Sequence, residues 1–249
     1  MSLEPSPRLP HVRPMILRVL VFLSGLALAA SAQNARKLSA RTLCFSYVDQ
    51  VESVFAPTGK DGEMSEVPLY TTVISEPFEM NASAEGGVFS LPNDDPEQPY
   101  KPLKAAALPS GSSVLFLFLP APEKSKDPYK VVALADDTRS FPWGSVRLLN
   151  LSPHAVRFHL GEHNGQKAFG LLPGKSELVK TIQRLDDFNR YPVLVDYKTD
   201  KGFEPFYNNA WRAVAEKRDL VITYQDPNTG LPHLNHYEDA KPAELGPTR

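Results

Sequence analysis

The stretch Val114-Leu115-Phe116-Leu117-Phe118-Leu119 decides the fold, together with Leu220-Val221-Ile222-Thr223-Tyr224 lying 106 positions further on. Both are strand-sized runs of β-branched, aromatic and aliphatic residues that stop at polar turns. The same offset carries Val88-Phe89-Ser90-Leu91 onto Leu194-Val195-Asp196-Tyr197, Pro99-Tyr100 onto Pro205-Phe206, and Arg41-Thr42-Leu43 onto Arg147-Leu148-Leu149. Val67-Pro68 meets Leu172-Pro173 at 105, a one-residue slip of the kind a loop absorbs. Self-similarity at a fixed period sets the architecture before any local reading. The chain reads as two tandem copies, residues 38–138 and 144–238, followed by a disordered tail over 239–249.

Within each copy the local signals are those of strands. Val156, Phe158 and Leu160 alternate with Arg157 and His159, and Tyr191 to Tyr197 is rich in β-branched and aromatic residues. Turn clusters such as Leu172-Pro173-Gly174 and Thr199-Asp200-Lys201-Gly202 separate them. Short strands at this spacing predict an all-β protein of two tandem antiparallel β-sandwiches. Ser176 to Phe188 and Asn209 to Lys217 also fit helices; Pro77 in the stretch equivalent to the first argues for a strand there.

The final strand differs between copies. In copy two, Leu220, Ile222 and Tyr224 share a face opposite Thr223 and Gln225. In copy one both faces are apolar, with Val114, Phe116 and Phe118 opposite Leu115, Leu117 and Leu119. A strand apolar on both faces needs two covers. The second cover is expected to be the other copy or a second molecule, and the second molecule would give a homo-oligomer through Val114 to Leu119. Trp143, in the linker Phe141-Pro142-Trp143-Gly144, is expected to wedge between the copies.

Val146-Arg147-Leu148-Leu149-Asn150-Leu151-Ser152 followed by Leu171-Leu172-Pro173-Gly174 resembles small immunoglobulin-like repeats of secreted bacterial proteins of unassigned function. Those repeats open with a strand ending in Asn-x-Ser and carry a Pro-Gly turn midway. The likeness covers about 30 residues of copy two, and copy one departs from it with Cys44 in place of Asn150. It implies a sandwich of the cell envelope and transfers no catalytic residue.

Composition narrows function by exclusion. The 249 residues carry 27 basic and 29 acidic side chains, 42% hydrophobic residues and one cysteine. This balance suits a globular chain and gives no electrostatic reason to expect nucleic acid. A single cysteine excludes an internal disulfide and Cys-rich metal or iron–sulfur sites. At the amino terminus Arg13 and Arg18 precede an apolar run, Val19 to Ala30, that ends in Ala30-Ser31-Ala32. Basic, apolar and small-residue segments in this order mark a secretory signal, so residues 1–32 are expected to be removed, whether translation starts at Met1 or Met15. The mature protein then carries a net charge of −4 and is expected in the periplasm or outside the cell, without membrane insertion.

Several constellations bear on chemistry. His154, His159 and His163 cluster around Glu162, and His233 and His236 form a second pair, but neither spacing matches an established zinc pattern. A metal-dependent enzyme built on His154, His159 and His163 is therefore the minor reading. The pairs Asp94-Asp95, Asp136-Asp137 and Asp186-Asp187 read as turn formers, since adjacent carboxylates on extended chain point apart. Cys44 lies in an apolar strand and reads as a small buried hydrophobe. Asn81-Ala82-Ser83 and Asn150-Leu151-Ser152 match the glycosylation triplet. The best ligand site is Phe203 to Trp211, where Phe206, Tyr207 and Trp211 offer rings and Asn208 and Asn209 offer amides, the combination a sugar platform uses.

The reading that results is an exported, non-enzymatic binding or scaffolding protein of the bacterial envelope, without a cofactor, whose partner is an envelope protein or a glycan. A carbohydrate-binding module at Phe203 to Trp211 is the alternative. Mass spectrometry of the exported chain is expected to find Gln33 as its first residue; a chain retaining residues 1–32 after export contradicts the leader.

Overall fold

Alternating burial along the strands places apolar side chains between two sheets in each copy, as a period of two requires. The computed structural model describes residues 36–241 apart from 60–62, 84–85, 105, 123, 162–167, 183–185 and 227–228. The leader, residues 242–249 of the tail, Glu162 and His163 lie outside the described residues.

Copy one contributes β1 (Arg36–Cys44), β2 (Ser53–Pro57), β3 (Met64–Pro68), β4 (Phe78–Ala82), β5 (Ser90–Pro92), β6 (Tyr100–Pro102), β7 (Ser113–Pro120) and β8 (Tyr129–Ala135). Copy two contributes β9 (Val146–Asn150), β10 (Val156–Leu160), β11 (Phe169–Leu171), β12 (Ser176–Val179), β13 (Arg190–Thr199), β14 (Gly202–Arg212), β15 (Lys217–Gln225) and β16 (Pro232–Ala240). The sheets are ordered β4-β1-β7-β8 and β3-β2-β5-β6 in the first copy. In the second they are β12-β9-β15-β16 and β11-β10-β13-β14, the same order strand for strand. The protein is all-β, two sandwiches related by an internal repeat.

Two sequence expectations are corrected, the wholly antiparallel pairing and the start of the tail, and the strand reading of Ser176 onward holds. The sandwiches are not wholly antiparallel: β1 runs parallel to β7, and β9 to β15. No helix occurs among the described residues; Ser176–Val179 is strand, and Asn209 to Arg212 complete β14. Strand β16 runs to Ala240, two residues into the segment read as a tail.

The offset of 106 also fails in the last strand, for a physical reason. Arg41 stands opposite Leu115 and Leu43 opposite Leu117, while Arg147 stands opposite Leu220 and Leu149 opposite Ile222. The equivalent of Leu115 is thus Leu220, at 105, and a slip of one residue exchanges the two faces of a strand. With that register the copies use matching faces for matching purposes. Val114, Phe116 and Phe118 fill the core of copy one with Phe89, Met80 and Tyr129. Val221, Phe158, Val193, Val195, Tyr191 and Trp211 fill that of copy two.

The other face of β7 meets the other face of β15. Leu43, Leu115, Leu117, Phe141, Leu149, Leu220, Ile222 and Tyr237 form one buried cluster between the copies, with Leu119 packed against it. Leu43 and Leu149, Leu115 and Leu220, and Leu117 and Ile222 are repeat equivalents, so the contact is self-complementary in the manner of a symmetric dimer held in one chain. The Val114 to Leu119 strand is therefore covered by copy two, on the very face that the oligomer expectation assigned to a second molecule. Each buried aliphatic side chain here contributes roughly 1.5–3 kcal/mol before the entropy of ordering is charged. Leu117→Ala is expected to lower unfolding free energy by about 2–5 kcal/mol in a denaturant titration. A loss under about 1 kcal/mol would show that the layer does not hold the copies together.

Candidate functional site

Where the two copies meet, four charged side chains close a ring. Arg41 on β1 donates from Nε and Nη2 to the two oxygens of Asp136 at 2.8 and 2.9 Å. It donates from Nη1 and Nη2 to those of Asp239 on β16 at 2.8 and 2.7 Å. Arg218 on β15 bridges the same carboxylates, from Nε to Asp239 at 2.7 Å and from Nη2 to Asp136 at 2.8 Å. Its Nη1 donates to the carbonyls of Asp136 and Phe141 at 3.0 and 2.8 Å. Two guanidinium forks thus face two carboxylates, the geometry in which charge-assisted bonds are strongest.

The linker seals this ring. The Arg218 guanidinium lies 4.6 Å from the Phe141 ring centroid and 4.5 Å from that of Trp143, so the two linker aromatics hold the cation. Trp143 acts here through Arg218 and is only half-buried. Arg147 covers Phe141 at 4.3 Å and donates to the carbonyls of Ala135 and Ser140 at 2.7 and 2.8 Å. Gly144, at φ 76°, makes the turn into copy two without the strain a side chain would bring. Burial would raise the Asp239 carboxyl, but the bonds and charges of Arg41 and then Arg218 outweigh it and hold the group below the ordinary carboxylate range. Burial likewise opposes the charge on Arg41, and the two aspartates more than offset it.

Further along the same strands the junction opens into a cleft of about 630 Å³. Phe45 and Leu119 of copy one and Leu151 and Tyr224 of copy two line it, and the Phe45 and Tyr224 rings touch edge to face at 4.2 Å. Pro120, Pro153 and Pro173 form rims, and Lys130, Ser46 and Gln225 supply polar groups. Apolar walls with a few polar groups at a domain junction are the ordinary makeup of a ligand site. Neither the parity of β7 nor any motif announces this cleft in the sequence, because its lining comes from six separate segments.

The sequence-selected loop proves to be edge strand β14. Trp211 is 5% exposed and turned into the core of copy two. Its Nε1 donates to Tyr207 Oη at 2.8 Å, and its ring stacks on His236 with centroids 4.3 Å apart. Phe206 and Tyr207 are half-buried against the same core, while Asn208 and Asn209 are exposed. A bulge between Val195 and Asp196 of β13 leaves Phe206 as the extra residue of β14. A sugar platform needs free ring faces, so the buried Trp211 ring does not provide one.

The histidines separate. His154 packs edge-on against Tyr197, and His159 on β10 approaches Asp196 at 3.2 Å beside Arg157. His163 is outside the described residues. Asp136 is a miss of a different kind, since it sits in the buried ring, whereas its neighbour Asp137 caps the turn at Arg139 and Ser140. Asp95 and Asp186 likewise cap turns. Cys44 is fully buried, and burial pushes its thiol up to about 11. Asn150, its repeat equivalent, spends both amide hydrogens on the carbonyls of His154 and Leu171, so it is closed to glycosylation in the folded chain. Asn81 donates to the carbonyl of Gly59 at 2.7 Å.

No protein-family model matches the chain, and no curated protein matches it significantly.

A carboxyl held low in the folded state contributes stability that is full above its unfolded value, about 3.9, and is lost as pH falls through the lower folded value. Asp239→Asn is therefore expected to lower stability by about 3–5 kcal/mol at pH near 7. The gap to the parent protein should narrow in melts taken below about pH 4. A gap that stays constant with acid would remove Asp239 from the ring's electrostatics.

Proposed function

We propose that the protein is an exported, non-enzymatic binding module of the bacterial cell envelope, and that its ligand seats in the cleft between the two copies. The observation that carries this reading is the cleft itself, apolar on both walls and framed by sandwiches that the Arg41–Asp136–Arg218–Asp239 ring fixes in place. A binding site whose walls are already ordered loses less entropy on association. The cleft's polar groups, Lys130, Ser46 and Gln225, suit hydrogen bonding and orientation of a ligand rather than proton transfer by a matched acid and base. Its chemistry favours an amphipathic molecule, with an aromatic or aliphatic body against Phe45, Leu119, Leu151 and Tyr224 and a polar or anionic end toward Lys130.

Fluorescence titration with anilinonaphthalene sulfonate, an aromatic anion of suitable shape, tests this on the native mature chain. Saturable binding to one site is expected, weakened about tenfold by Leu119→Arg or by Tyr224→Ala in variants that still melt cooperatively. Displacement of the dye by glycans or by short peptides would then identify the ligand class. Unsaturable binding, or affinity untouched by both substitutions, would overturn the cleft as the site.

A further inference from the structure

The His236 that stacks on Trp211 belongs to a set of donors on one ribbon. His236 and Glu238 are two apart on β16 and so share a face. Asp219 on β15 stands directly opposite Glu238. One donor atom from each of Asp219, His236 and Glu238 lies within 4.8 Å of the others. His236 Nε2 is 2.9 Å from Asp219 Oδ1.

Two features of the surroundings point to a bound species. Tyr191, across β13–β14 from Trp211, is 1% exposed, and its hydroxyl has no hydrogen-bond partner among the described residues. A buried hydroxyl without a partner is costly, and such groups commonly mark a water or an ion. Its ring meets that of Trp211 edge to face with centroids 6.2 Å apart, and Trp211 in turn stacks on His236. The indole of Trp211 lies nearly parallel to the imidazole, at 25°, and is itself held by Tyr207. Holding a ligating imidazole from outside the coordination shell is a normal part of metal-site construction.

We propose that Asp219, His236 and Glu238 bind a divalent ion of the zinc class at the β14–β16 edge of copy two, with the Tyr191 hydroxyl turned toward the ion's remaining coordination position. One imidazole and two carboxylates are ligand types zinc accepts. Glu238 is exposed, and on exchanging its Lys217 partner for an ion it can turn inward to the ligand separations of a tetrahedral site. Lys217, which forms an ion pair with Glu238, competes with the ion for that carboxylate. The site is independent of the cleft: it lies between the sheets of copy two, whereas the cleft lies between the copies.

Untagged, chelator-stripped mature protein should take up one Zn²⁺ per chain by isothermal titration. Glu238→Gln and His236→Gln should each weaken uptake about tenfold or more, and Lys217→Met should strengthen it. Ni²⁺ should quench tryptophan emission through the stacked Trp211, and Glu238→Gln should abolish that quenching at the same metal concentration. Glu238 is exposed, so its substitution leaves the fold intact and keeps the test readable. Absence of stoichiometric uptake, or uptake and quenching that survive both substitutions, would overturn the site.

Discussion

The buried ring of Arg41, Asp136, Arg218 and Asp239 is the constraint on which the rest of the molecule depends. Arg218 is 3% exposed and both aspartates are buried, so these charges are tolerated only because each fork finds a carboxylate and the remaining donors find carbonyls. Separating the copies would break the two pairs that cross between them, Arg41–Asp239 and Arg218–Asp136, and leave each copy one internal pair, Arg41–Asp136 or Arg218–Asp239, opened to water. The leucine layer supplies attraction without direction, whereas the ring admits one registration of β1 against β15 and β16. The attraction and the registration thus come from different residues at the same junction.

The junction explains the asymmetries between two otherwise matching copies. Asp136 follows β8 and Asp239 is the penultimate residue of β16; each stands against the start of its neighbouring strand, Asp136 beside Ser113 and Asp239 opposite Arg218. Where copy two has Arg218, copy one has a serine, so the ring draws one arginine from β1 and one from β15. Inside the sandwiches the same divergence appears at Cys44 and Asn150. In copy one the Cys44 thiol donates to the carbonyl of Ser46 at 3.3 Å, while Asn150 ties His154, Leu171, Ser152 and Thr223 together by hydrogen bonds. A rigid junction also fixes how Phe45 and Leu119 sit against Leu151 and Tyr224, and with it the shape of the cleft they line.

The repeat, the all-β class and the two-sided strand β7 were legible because period-two patterning and turn chemistry are local properties of the chain. The parallel pairing of β1 with β7 was not, since no local signal distinguishes a parallel partner from an antiparallel one. A uniform offset misaligned β15 by one residue because an apolar strand reads alike in either register; only the side-chain partners of Arg41 and Arg147 show which face is which. Trp211 read as a platform because aromatic and amide residues mark both binding loops and sandwich edges, and burial decides between them. Asp136 read as a turn former because its partners, Arg41 and Arg218, lie about 80 to 95 residues away. The set Asp219, His236 and Glu238 escaped notice for the same reason, although His-x-Glu on a strand places two donors on one face.

Scanning calorimetry of residues 33–249 tests the shared junction most directly. If the leucine layer and the charged ring bind the sandwiches into one unit, the protein melts in a single transition whose calorimetric and van't Hoff enthalpies agree. Two resolved transitions, one for each sandwich, would contradict it.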